Sequence, residues 1–194
     1  MKNIVLASGS PRRKEILNAH GITPTIIKPE ADETVPSGFS GSLDVNQIVM
    51  FFSLKKALAV KSVLSNEELK DIDYIIAADT VVYDDKIIGK PENLSESFEI
   101  LKGLRNKMHQ VITGVCIIDI KKKNSEIFYD ISKVYFKNYS NDDIKKYISE
   151  DSTLDKAGAY AIQSSWGEQV EKVIGDTENV IGLPWYRIKK IIEA

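Results

Sequence analysis

The chain has 194 residues, 43% of them hydrophobic, and carries 26 Lys and Arg against 28 Asp and Glu for a formal net charge of −2. That length closes one substantial core or two small lobes sharing a sheet, and that charge excludes the global basic field that holds a nucleic-acid backbone, so a bound anion must be met by local cations. The single cysteine, Cys116, excludes an internal disulfide and a cysteine metal cluster. The N-terminal apolar stretch is too short for a signal peptide, and no run approaches the roughly 18 apolar residues of a membrane span. A cytoplasmic protein that engages neither membrane nor nucleic acid is expected.

In chain order, Lys2 to Ala7 reads as a strand buried on both faces. Ser8-Gly9-Ser10-Pro11 breaks it, with Ser10 as N-cap, Pro11 in the first helical position, and a helix to His20 that Gly21 ends. After the loop KPEADETVPSGFSGS, a helical pattern runs from about Asp44 to Leu64, with Val45, Val49, Phe52, Ala59 and Val63 on one side. Tyr74 to Tyr83 reads as a central strand, Asp84-Asp85 as the turn into a short partner at Lys86 to Gly89, and Ser95 to Arg105 as a helix. Two β-rich runs, His109 to Ile120 and Ile127 to Phe136, joined by KKKNS, read as a hairpin. A helix at Asn141 to Glu150, strands at Gly158 to Gln163 and Val170 to Ile174, and a helix at Pro184 to Ile192 follow. The order is mixed α and β with a hairpin, which argues against a purely parallel doubly wound sheet. No repeat or low-complexity linker marks a boundary, so one domain over 1–194 is expected.

Four places break local rules. In Ser8-Gly9-Ser10-Pro11-Arg12-Arg13, free N–H groups at a helix start, two hydroxyls and two guanidiniums assemble the parts of a phosphate site; a well-capped helix with two solvated arginines is the other reading. Asp79 interrupts the apolar strand Ile75-Ile76-Ala77-Ala78-Asp79-Thr80-Val81-Val82, so its carboxylate needs a cation, a metal or a set of backbone donors. Lys56 falls near the centre of the apolar stripe of its helix and needs an anionic partner, unless its long stem snorkels to water. Because methionine matches the apolar stripe, Lys56→Met is expected to leave the melting temperature unchanged or raised while slowing any chemistry that uses the ammonium. Gly89-Lys90-Pro91 places a further cation just after the hairpin of Asp79.

These residues also carry a family likeness. LASGSPRRKEIL, DET at Asp32 to Thr34, AADTVV, GKP, HQVITGV, LDKAGAYAIQ and NVIGLP resemble, in order and spacing across the whole chain, the blocks of the Maf family of nucleotide pyrophosphatases. The block LDKAGAY is similar to that of the branch acting on dTTP and UTP. The resemblance implies an α/β fold of the inosine-triphosphatase-like kind, with a long curved mixed sheet, flanking helices and two lobes around a cleft. It implies hydrolysis of a nucleoside triphosphate to monophosphate and pyrophosphate, a divalent cation (Mg2+ or Mn2+), and a homodimer. It assigns Asp79 as general base with Lys56 and Lys90 beside it, and Glu33 with Asp79 as metal ligands. Arg12, Thr80 and Gln163 match positions tied to substrate selectivity, and Ser8, Arg13 and Lys156 match other substrate-binding positions. The chain departs from the family pattern at Ala161, at Ser164-Ser165-Trp166-Gly167 and at Met108, none of which removes a charged site position. Two other readings stay open: a nucleotide-binding regulator of cell division, and a pyrophosphatase preferring another or a damaged nucleotide.

Overall fold

The computed structural model describes residues 2–31, 34 and 44–193. The strands are β1 (Ile4–Leu6), β2 (Thr25–Ile26), β3 (Tyr74–Asp84), β4 (Lys86–Ile88), β5 (Met108–Asp119), β6 (Asn124–Phe136) and β7 (Val170–Ile174). The helices are α1 (Pro11–Ala19), α2 (Val45–Val63), α3 (Asn66–Asp71), α4 (Leu94–Leu104), α5 (Asn141–Glu150), α6 (Thr177–Ile181) and α7 (Trp185–Ile192). The strands form one mixed sheet in the order β2-β1-β3-β5-β6-β7, with β4 paired to β3. β1 runs parallel to β2 and β3, whereas β4 is antiparallel to β3 and β7 antiparallel to β6. The mixed α/β architecture expected from the order of elements is therefore observed. None of the described helices is long and apolar enough to cross a membrane.

The chain divides into two compact units, one from segments 1–79, 113–130 and 182–194, the other from 80–112 and 131–181. In the first, α2 lays Ala57 and Val60 against Val5, Ala7, Ile75, Ala77, Cys116 and Ile118 of the sheet. In the second, Leu101 and Leu104 of α4 and Ile144 and Tyr147 of α5 close over Val82, Val111, Val134 and Phe136. Side-chain caps set where several helices begin: Asp44 and Gln47 form a capping box on α2, as do Ser65 and Glu68 on α3 and Ser140 and Asp143 on α5.

Three expectations are corrected. The buried line of α2 runs through Val49, Phe52, Ser53, Ala57 and Val60, while Val45 and Ala59 are half-buried and Val63, at the end of the helix, is 72% exposed. Helix α4 starts at Leu94, with Asn93 rather than Ser95 accepting the first-turn amide. Gly158 to Gln163 is not a strand: Ala157–Ala159 forms a 3-10 turn in which Gly158 (φ 70°) and Ala159 (φ 63°) are both left-handed. A Cβ at Gly158 would fall 2.6 Å from Val82 Cγ2, so only glycine fits this close approach.

His109, near the start of β5, is 1% exposed, with Nε2 2.7 Å from the Tyr160 hydroxyl. Loss of hydration pushes its pKa down from 6.5 to about 4. Between those values the unfolded chain binds a proton that the folded chain refuses. Stability is therefore full above pH 6.5 and falls by about 3 kcal/mol as the pH drops to 4. Urea unfolding across this range is expected to show that slope, flattened in His109→Gln; an equal slope in the variant would remove His109 as its cause.

Candidate active site

In the first unit, β1 and β3 pair in parallel with Leu6 opposite Ile76, and the Ala7 amide continues the ladder by donating to the Ile76 carbonyl at 2.8 Å. This register sets the turn after β1, with Ser8, beside the segment of β3 that leads to Asp79. The carboxyl ends of adjacent parallel strands, followed by a helix N-terminus, are where open α/β sheets bind ligands.

The turn is built differently from the plain cap expected. Ser10 occupies the N-cap of α1 but its side chain makes no capping bond. Instead the Ser10 amide donates to Ser8 Oγ at 3.1 Å, and Ser8 is buried at 4% exposure. Arg13 also donates to Ser8 Oγ from Nη1 at 3.1 Å and from Nε to the Gly182 carbonyl at 2.9 Å. Arg13 is thus a strut as well as a cation: part of its planar fork ties the turn to the segment before α7, and that geometry is what a lysine lacks. Arg12, one residue earlier, is half-buried.

Lys56 and Asp79 are partners. Lys56 Nζ lies 2.6 Å from Asp79 Oδ1, with side-chain exposures of 12% and 15%. This answers two readings left open by the sequence: Lys56 does not snorkel, and the cation that Asp79 needs is Lys56. Charge-assisted bonds of this length fix orientation as well as neutralise charge. Ser8, Arg12 and Arg13 belong to the same unit as this pair.

The pair reverses the stability expected of Lys56→Met. Removing the ammonium leaves a largely buried carboxylate unpaired, so Lys56→Met should lose about 1–3 kcal/mol of stability. Adding Asp79→Asn should recover most of it, and thermal melts of the single and double variants check this. A single variant as stable as the wild type would mean that the pair contributes nothing to folding.

The second unit carries the other sequence-predicted positions. Thr80 follows Asp79 on β3 and so points to the opposite face of the strand. Lys90 is exposed, and the Gly158 amide donates to the Gly89 carbonyl at 3.0 Å, which joins the Gly-Lys-Pro segment to the segment after Lys156. Lys156 itself is 8% exposed and is engaged by the Ser152 carbonyl, by Asp155 at 2.8 Å and by Asp151 at 3.6 Å. Its charge is largely met within the unit. Gln163 is exposed at the tip of a turn. Glu33 lies outside the described residues.

Among the described residues, no group of three or more His, Cys, Asp or Glu is arranged to hold a metal. Asp79 offers one carboxylate, which fits a magnesium-type ion, since such ions take one or two carboxylates and complete their shell with phosphate oxygens and water. Sequence reasoning missed Gly114 of β5 and Gly182. A Cβ at Gly114 would fall 2.5 Å from the Met50 amide nitrogen and closer still to the Val49 carbonyl, so α2 rests on bare backbone there. A lone glycine inside the apolar run of β5 was the available signal. The Gly182 carbonyl had none.

The family model described as Maf-like protein matches residues 3–194. The dTTP/UTP pyrophosphatase of Caldicellulosiruptor bescii is 42% identical over 100% of this chain and 94% of its own length. The proteins of that name from Clostridioides difficile and Alkaliphilus oremlandii are 41% and 36% identical, over 98% and 99% of this chain and 94% and 95% of their own lengths.

Proposed function

The chain belongs to the Maf family, and we propose that it is a nucleoside triphosphate pyrophosphatase that hydrolyses dTTP and UTP to the monophosphate and pyrophosphate. Relatives bearing that name cover the chain from end to end. The observation that carries the reading to particular residues is the Lys56–Asp79 pair at 2.6 Å, on the unit that holds Ser8, Arg12 and Arg13.

In this reading a water attacks the α-phosphorus. Its proton passes to Asp79, a new P–O bond forms, and the α–β bridging bond breaks with its electrons leaving on pyrophosphate. Lys56 holds Oδ1 of Asp79, so the proton is taken at Oδ2 of an oriented carboxylate. Arg12, Arg13 and Lys90, with Lys56, offset the charge that gathers on the departing phosphates, where fixed cations act most strongly. Ser8 and Lys156 complete the substrate-binding set, Ser8 through the turn that Arg13 braces and Lys156 through an ammonium held by Asp155. Asp79, with Glu33, would hold a divalent cation, Mg2+ or Mn2+, whose contribution when bound is to neutralise phosphate charge and acidify the attacking water. The substrate pool is that of the cytoplasm, and neither nucleic acid nor membrane takes part.

Arg12, Thr80 and Gln163 select the base. Uracil and thymine share a carbonyl and N–H edge that a glutamine amide pairs in both directions, while cytosine presents donor and acceptor exchanged. A site built on such hydrogen bonds rejects a mismatched edge strongly, because its own polar groups are then left unpaired. Steady-state rates across the common nucleoside triphosphates are expected to place dTTP and UTP well ahead of CTP and the purines. Preference for CTP or GTP would assign the chain to another branch of the family.

A further inference from the structure

Tyr147, on α5, is 3% exposed and lies against Trp166, with ring centroids 4.7 Å apart. Its hydroxyl oxygen accepts the Ala161 amide N–H at 3.2 Å and also stands 3.2 Å from Ser164 Oγ. Ile162 and Gln163 are the two residues between these feet. The turn is closed again from within: the Ser164 amide donates to the Ala161 carbonyl at 3.2 Å, and Ser164 Oγ lies 2.8 Å from that carbonyl. The Ser164 hydroxyl has a single proton, which its two acceptors share.

The downstream side is equally fixed. The Trp166 amide donates to Ser164 Oγ at 3.3 Å and the Gly167 amide to the Ser164 carbonyl at 2.9 Å. Trp166 is 2% exposed and wedged edge-on against Tyr139, while the Ile162 carbonyl lies over Gly167 so closely that no Cβ fits. An exposed glutamine thus stands on a turn whose two ends meet on one phenol oxygen of a neighbouring helix.

We propose that Tyr147 is a positioning residue for base selection, its hydroxyl clamping the Ala161–Ser164 turn that presents Gln163. The proposal rests on the reading of Gln163 as the residue that pairs with the base. Discrimination by hydrogen bonds requires the protein's amide to be held in place. If the turn yields, it follows a mismatched edge and the penalty for the wrong base shrinks, whereas a bound, correctly oriented triphosphate reacts as before. Tyr147 therefore governs which nucleotide is accepted without touching the reacting phosphates.

Tyr147→Phe keeps the ring against Trp166 and removes only the oxygen. In this variant kcat for dTTP should stay within about twofold of wild type while the kcat/KM preference for UTP over CTP falls about tenfold, the scale of one lost orienting hydrogen bond. Hydrogen exchange of the amides of residues 161–167 should speed up with little change along α5. A purely structural role would lower the active fraction equally for every nucleotide, so an unchanged UTP/CTP ratio would overturn the proposal. Gln163→Ala measured in parallel separates the two levels. If it leaves the wild-type ratio intact, the reading of Gln163 fails and the proposal with it; if it lowers the ratio and Tyr147→Phe does not, the positioning proposal alone fails.

Discussion

Asp79→Asn is expected to lower turnover of dTTP by about 10²–10⁴-fold, the usual cost of losing a general base, with little change in the fold. Asparagine keeps the size of the side chain, and its carbonyl still accepts from Lys56 Nζ, now 2.6 Å from Asp79 Oδ1. What the amide lacks is proton affinity and negative charge. Single-turnover rates with circular dichroism on the same samples separate chemistry from folding. Retention of more than half the wild-type rate would remove Asp79 from the mechanism.

Gly114→Ala is expected to act at a distance. The added Cβ meets the backbone of α2 at Val49 and Met50, which no rotamer change relieves, so the helix must move. A displacement on the order of 1 Å carries Lys56 with it, two turns further along α2. Misplacement of that size costs about 10²-fold in rate, and overpacking costs about 1–3 kcal/mol in stability. A double-variant cycle tests whether the effect passes through Lys56. In a Lys56→Met background Gly114→Ala should slow the reaction little further, because the group it displaces is already gone. Full additivity of the two rate losses would show that Gly114 acts by another route.

Much of the site was legible as local conflict, and little of it as pairing. Lys56 stands out because an ammonium sits in an apolar stripe, and it does so although only Val49 and Phe52 of the expected stripe belong to the buried face, since that face is rotated only slightly about the helix. Asp79 stood out for the same reason in β3. That the two meet, 23 residues apart, is a product of α2 lying on β1, β3 and β5, which no periodicity reveals. Arg12 and Arg13 look alike in sequence, yet Arg13 is bound to a carbonyl 169 residues away. The bounds of α2 and α5 were readable because Asp44 and Ser140 cap them through neighbours three residues on. The segment Gly158 to Gln163 was misread because Ala159 adopts a left-handed backbone that alanine does not favour. Contacts with Val82 and Gly89 hold Gly158 there, and they are tertiary. The pairing of Lys156 with Asp151 and Asp155 is likewise not visible in any periodicity.

In the proposed reaction water cuts dTTP and UTP between the α- and β-phosphates with Asp79 taking the proton. Turnover of dTTP in water enriched in oxygen-18, with products identified by mass, tests it most directly. The predicted products are thymidine monophosphate carrying one labelled oxygen and unlabelled pyrophosphate, formed by the wild type and scarcely at all by Asp79→Asn. Release of inorganic phosphate, or label found in the pyrophosphate, would contradict it.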